Sequence, residues 1–139
     1  MDEVITMSSG ILDLVFFEDL LGTAEMRQLF SSRNLLQKWL DFEAALARAE
    51  AKLGLIPEAA AQEITEKARA ENFDLNEIKK GVEHTLHPIV PVIRALAATC
   101  AGDAGEYVHW GATTQDVTDT GLVLVLKDVY DLIDTELAE

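Results

Sequence analysis

Ser31-Ser-Arg-Asn-Leu-Leu-Gln-Lys-Trp-Leu-Asp-Phe-Glu-Ala-Ala-Leu-Ala-Arg-Ala-Glu-Ala-Lys-Leu53 is the stretch that decides the fold class. Leu35, Trp39, Phe42, Leu46, Ala49 and Leu53 recur at alternating steps of four and three. That spacing draws one apolar stripe along a helix of about six turns. Ser31 or Ser32 offers a hydroxyl to the unpaired amides at its start, and Gly54 with Pro57 ends it. Alternation with period two is weak along the whole chain, so the expected fold class is all-α.

Working outward, Pro57 opens a second helix expected to run through Glu71, and Asp74 caps a short one reaching Lys80. Pro88 and Pro91 fit a helix that begins at Pro88, because first-turn amides have no intrahelical acceptor to lose. Ile89, Ile93, Leu96 and Cys100 then share a face, and Gly102-Asp-Ala-Gly105 ends that helix. Tyr107 to Thr114 forms a compact connection. A last helix follows, with apolar positions Leu122, Val125, Leu126, Val129, Leu132, Ile133 and Leu137. Its final residues include Asp131, Asp134, Glu136 and Glu139, which oppose the helix dipole, so this helix is expected to continue past residue 139 in a parent protein. The sequence contains no internal repeat.

The chain has 139 residues, of which 49% are hydrophobic, enough for a buried core. Eleven basic against 25 acidic side chains give a net charge of -14, which excludes a nucleic-acid partner because no basic surface is available. No charge-free stretch approaches the roughly 18 apolar residues of a membrane helix. The start Met1-Asp-Glu3 is unlike a secretory signal, so no membrane association and a cytoplasmic location are expected. The single cysteine, Cys100, lies in an apolar run and reads as a small buried hydrophobe. Phe16, Phe17, Phe30, Trp39 and Phe42 read as core or interface anchors, and the acidic residues as mostly solvated helix faces.

Chemistry concentrates in Gly111-Ala-Thr-Thr-Gln-Asp116, where small residues and two hydroxyls precede a helix. Two readings stand. Thr113 or Thr114 caps the helix, with Asp116 returning to a free amide as a capping box. Alternatively, the same amides, the positive end of the dipole and the hydroxyls converge on a bound carboxylate or phosphate. His109 stands directly before the turn, either as a structural histidine or as a donor to that anion or a proton carrier. His87 precedes Pro88 at another helix start and can present its imidazole in the same way, whereas His84 faces solvent. His84 and His87 lack the further ligands a metal needs, so no metal is expected. No dinucleotide or phosphate-loop fingerprint appears, and no cofactor is expected.

Tyr107-Val-His-Trp-Gly-Ala-Thr-Thr-Gln-Asp-Val-Thr-Asp-Thr-Gly121 resembles the first signature region of the fumarase/aspartase superfamily. It is most similar to the branch that holds adenylosuccinate lyase and bacterial 3-carboxy-cis,cis-muconate cycloisomerase. Trp39 to Pro57 is similar to the first long helix of that branch. The resemblance implies residues 1–110 as an N-terminal helical domain and 111–139 as the signature turn with the start of a central-bundle helix. It also implies a homotetramer whose active sites are each assembled from three subunits. No catalytic residue is expected within the chain, because the family's base and acid would lie beyond Glu139. By resemblance His87, His109, Thr113, Thr114, Gln115 and Asp116 bind a small dicarboxylate-containing substrate. Leu20 to Met26 looks like the cycloisomerase, His87 looks like adenylosuccinate lyase, and the substrate stays open between a succinyl-nucleotide, a carboxymuconate and a related dicarboxylate. The alternative from a different class is a non-catalytic helical interaction or oligomerisation module, whose exposed apolar faces bind a partner.

Overall fold

The structure, a computed structural model, describes Leu20 and residues 22–138. The acidic start Met1 to Glu3 and the expected anchors Phe16 and Phe17 lie outside the described residues. Six α-helices follow one another: α1 (Ala24–Leu29), α2 (Ser32–Lys52), α3 (Glu58–Lys67), α4 (Leu75–Thr85), α5 (Ile89–Thr99) and α6 (Thr114–Leu137). Single 3-10 turns interrupt the chain at Ala70–Asn72 and Ala104–Tyr107. The described residues contain no strand, in agreement with an all-α class.

Helix α2 is the spine, packed between α3 on one side and α6 on the other. Ser31 caps it, its hydroxyl accepting from the Asn34 amide at 3.2 Å. The buried face differs from the expected one by a single position. Leu36, Leu40, Glu43, Ala44, Ala47 and Glu50 are buried, whereas Leu35, Trp39, Phe42 and Leu46 are half-buried and Leu53 is 75% exposed. The reason is that Leu36, Leu40, Ala44 and Ala47 form a second apolar stripe beside the first, so two adjacent stripes compete and the partner helices choose between them. The same shift overturns the reading of the acids as surface groups: Glu43 is 2% exposed and Glu50 7%.

Two further boundaries moved. Helix α3 ends at Lys67, short of Glu71, because Gln37 and Arg33 of α2 claim the chain beyond it. The Gln37 side chain accepts from the Ala70 amide (2.8 Å) and donates to the Ala68 carbonyl (3.1 Å), while Arg33 donates to the carbonyls of Ala70 and Phe73. Helix α4 starts at the expected cap, Asp74, but runs to Thr85. Gly81 is tolerated inside it because the Pro91 ring packs where a side chain would stand. Pro88 opens α5, and Ile89 and Leu96 are fully buried on its inner face.

Helix α6 is held on α2 by two devices. Gly121 lies so close to the Trp39 ring that a Cβ there would stand 2.6 Å from Cδ1, and Lys38 bridges to Asp128 at 2.6 Å. Only Val117, Gly121 and Val125 are buried on α6. Much of its expected stripe faces outward instead: Leu122 is 51% exposed, and Leu126, Ile133 and Leu137 are exposed as well. Phe30, expected as an anchor, is also exposed. No helix among the described residues is long and apolar enough to cross a membrane.

Candidate functional site

The turn that precedes α6 is shaped by backbone conformations that side chains normally avoid. Among the described residues, two non-glycines take positive φ, Leu86 (52°) and His109 (62°). One immediately precedes His87 and the other is the second candidate histidine. Left-handed backbone at a bulky residue costs on the order of 1–3 kcal/mol and persists only where the surroundings impose it. At Leu86 the imposing group is Thr85, whose hydroxyl donates to the Gly81 carbonyl (2.9 Å) and accepts from the His87 amide (3.3 Å). Gly111 (φ 69°) completes the turn after His109.

His87 is fixed at both ring nitrogens. Its Nδ1 accepts from the Ile89 amide at 3.2 Å, satisfying one of the unpaired amides at the start of α5. An accepting Nδ1 leaves the ring proton on Nε2, which lies 3.3 Å from Thr114 Oγ1. The imidazole therefore donates to the Thr114 oxygen, and the hydroxyl proton of Thr114 remains available to a further acceptor. Thr114 is the first residue of α6, where the helix amides and the dipole also favour an anion.

Thr113 and Asp116 do the capping. The Asp116 carboxylate accepts from the Thr113 amide at 3.0 Å and the pair forms a capping box. Gln115 is exposed and donates to Asp119 one turn further on. Of the six residues singled out from the sequence, then, His87 and Thr114 are brought together, His109 bonds to Glu43 of α2, and Thr113, Asp116 and Gln115 are occupied at the start of α6. His84 is exposed. Among the described residues no group of three or more His, Cys, Asp or Glu side chains is placed to hold a metal ion. Cys100 is half-buried, its thiol pushed up by burial and by the Glu63 carboxylate and donating to the Leu96 carbonyl.

Two acids missed in the sequence lie beneath the turn. Glu43 Oε1 is 2.7 Å from His109 Nδ1, across a separation of 66 residues. Glu50 Oε1 stands 3.9 Å from where a Cβ on Gly111 would be. Burial raises the Glu43 carboxyl above its usual range, opposed by the hydrogen bond with His109, and burial alone raises Glu50. Glu43 Oε2, Glu50 Oε2 and Trp39 Nε1 are buried with no hydrogen-bond partner among the described residues. A usable signal was present. Leu36, Leu40, Glu43, Ala47 and Glu50 form a four-three-four-three series, so two glutamates sit on an apolar stripe.

Residues 22–139 match the family model described as Lyase. The chain belongs to this lyase family. It is 47% identical over 127 residues to the N-acetyl-S-(2-succino)cysteine lyase of Enterococcus italicus, an alignment covering 91% of this chain and 28% of that protein. It is 46% identical over 118 residues to the adenylosuccinate lyase of Methanocaldococcus jannaschii, covering 85% and 26%. The fold is similar to the crystal structure of the 3-carboxy-cis,cis-muconate lactonizing enzyme from Pseudomonas putida, with a TM-score of 0.83 and 42% identity over 87% of this chain and 28% of that one. These likenesses bear out the resemblance to the fumarase/aspartase superfamily and to the adenylosuccinate lyase and cycloisomerase branch. The chain spans just over a quarter of the length of these relatives.

Proposed function

We propose that the full-length protein carrying this chain is a lyase acting on a small dicarboxylate, and that the turn from His109 to Asp116, together with His87, binds a substrate carboxylate. The reading is carried by one observation: His87 Nε2 approaches Thr114 Oγ1 at 3.3 Å at the N-terminus of α6, from helix starts far apart in sequence. The Thr114 hydroxyl and the first-turn amides are then donors at one helix start, where negative charge is favoured. The N-acetyl-S-(2-succino)cysteine and adenylosuccinate lyases that the chain resembles point to the substrate class, a succinate joined at carbon 2 to sulfur or nitrogen.

In such a reaction a base removes the proton from the carbon beside a carboxylate, and charge builds on that carboxylate. The bond from the neighbouring carbon to sulfur or nitrogen then breaks, the electron pair leaving with the heteroatom, and fumarate is released. Donors fixed at the carboxylate stabilise the charge as it forms. The cycloisomerisation of a carboxymuconate to a lactone draws on the same grip. The base and acid are expected from other parts of the full-length protein, and the chain alone is expected to be inactive. A homo-oligomer belongs to the same reading, supported by the apolar face that α6 leaves uncovered at Leu122, Val123, Leu126 and Tyr130.

The test is Thr114→Val in the full-length protein. Loss of one such donor lowers turnover by about 100-fold or more, with the assembly intact by light scattering. Unchanged kinetics would remove Thr114 from the site. Parallel assays for fumarate release from succinyl-thioether and succinyl-nucleotide substrates, and for lactone formation from 3-carboxymuconate, choose the substrate.

A further inference from the structure

His109 is held from below by a residue that stability alone does not favour. Glu43 continues the stripe of Leu36 and Leu40 on α2, is 2% exposed, and has one oxygen bonded and one without a partner among the described residues. A leucine there would extend the core, whereas a buried carboxylate with half its hydrogen-bonding capacity unused is costly. Its one bond goes to a histidine whose backbone is itself in the left-handed region. Unfavourable groups placed on both sides of one hydrogen bond mark a position kept for what the histidine does.

We propose that Glu43 is a positioning residue that holds the His109 imidazole with its proton on Nδ1, leaving Nε2 as the ring atom presented to the substrate carboxylate or to a transferred proton. A carboxylate oxygen accepts, so the ring nitrogen that faces it at 2.7 Å is the donor. The two ring nitrogens point in diverging directions, and tying Nδ1 to a buried carboxylate on α2 aims Nε2 away from the core. His87 is held the opposite way, with Nδ1 accepting and Nε2 donating to Thr114. The two histidines thus offer unlike ring faces: His87 supplies a donor through Thr114, and His109 supplies a nitrogen that can accept a proton or, once protonated, donate. A carboxylate that fixes the ring and its tautomer in this manner is worth orders of magnitude in turnover where the histidine works in the reaction.

The inference rests on the substrate-binding reading of the turn, and its test separates the two. Long-range proton–nitrogen spectra of the histidine-labelled chain give the tautomer directly, with His87 as the internal opposite. His109 is expected to carry its proton on Nδ1; a neutral ring protonated only on Nε2 would overturn the proposal, even if Glu43 variants fail to fold. In the full-length lyase, Glu43→Gln is expected to lower kcat at least about 10-fold with KM little changed and helix content retained. Thr114→Val is measured beside it. If Thr114→Val reduces turnover and Glu43→Gln changes neither kcat nor the spectrum, the positioning role is refuted while the site stands. If neither variant affects turnover, the site reading itself falls.

Discussion

Gly121→Ala tests the contact that seats α6 on α2. Alanine in place of glycine inside an exposed helix stabilises by about 1 kcal/mol, through the smaller entropy of the unfolded chain. Here the added Cβ would stand 2.6 Å from Trp39 Cδ1 and 2.9 Å from Nε1, so the indole or the helix must move. Overpacking of this kind costs roughly 1–3 kcal/mol. The difference leaves the variant between neutral and about 2 kcal/mol less stable, or up to about 8 °C lower in Tm for a domain of this size. The assay is thermal and urea unfolding of the chain, followed by circular dichroism and by indole emission. A cycle with Trp39→Leu isolates the contact, because without the ring Gly121→Ala should regain its stabilising sign. If Gly121→Ala alone raised stability by the full 1 kcal/mol or so expected of an open helix position, the close packing of Trp39 on α6 would be wrong.

Two other outcomes follow from the same structure. Glu50 is buried with one oxygen unpaired and its carboxyl is raised above the ordinary value of 4.5. A raised carboxyl binds its proton more tightly in the folded state, so its contribution to stability falls as pH rises from the unfolded value through the folded one. Glu50→Gln should therefore raise Tm at pH 7, and that advantage should vanish below about pH 4.5; a constant difference across the range would show that the charge is not the cause. Asp116→Ala removes half of the capping box and should cost about 0.5–2 kcal/mol by urea unfolding, and a change near zero would show that the box does not hold the start of α6.

The sequence made the helices legible because their signals are local. Ser31, Asp74 and Thr113 cap where hydroxyl and carboxylate chemistry says they should, and Pro88 opens α5. Faces were harder to read, because a face is chosen by its partner. On α2 the stripe through Leu35 is the more apolar of the two, since the one through Leu36 carries Glu43 and Glu50, and the choice falls to α3 and α6, which pack on either side of the helix. On α6 the periodicity at Leu122, Leu126 and Ile133 was real, yet the described residues leave that side open. In the candidate site, the turn and both histidines were visible as a local motif. Glu43 was legible only as a glutamate set on the stripe of Leu36, Leu40 and Ala47; what it does there lies in a contact 66 positions away.

Helix α2 carries Arg33 and Gln37 against the chain after α3, Trp39 against α6, Glu43 against His109, and Glu50 under Gly111. These roles are spaced along one rigid rod, so they share a single rotational setting. A turn of that rod by one residue, about 100°, would unseat them all together. Substitutions that restore a weakened turn are accordingly to be sought on the far side of α2, along its seam with α3, as well as around the turn itself. For this chain, selection on the grip of the site and selection on the packing of the core act on the same 21 residues.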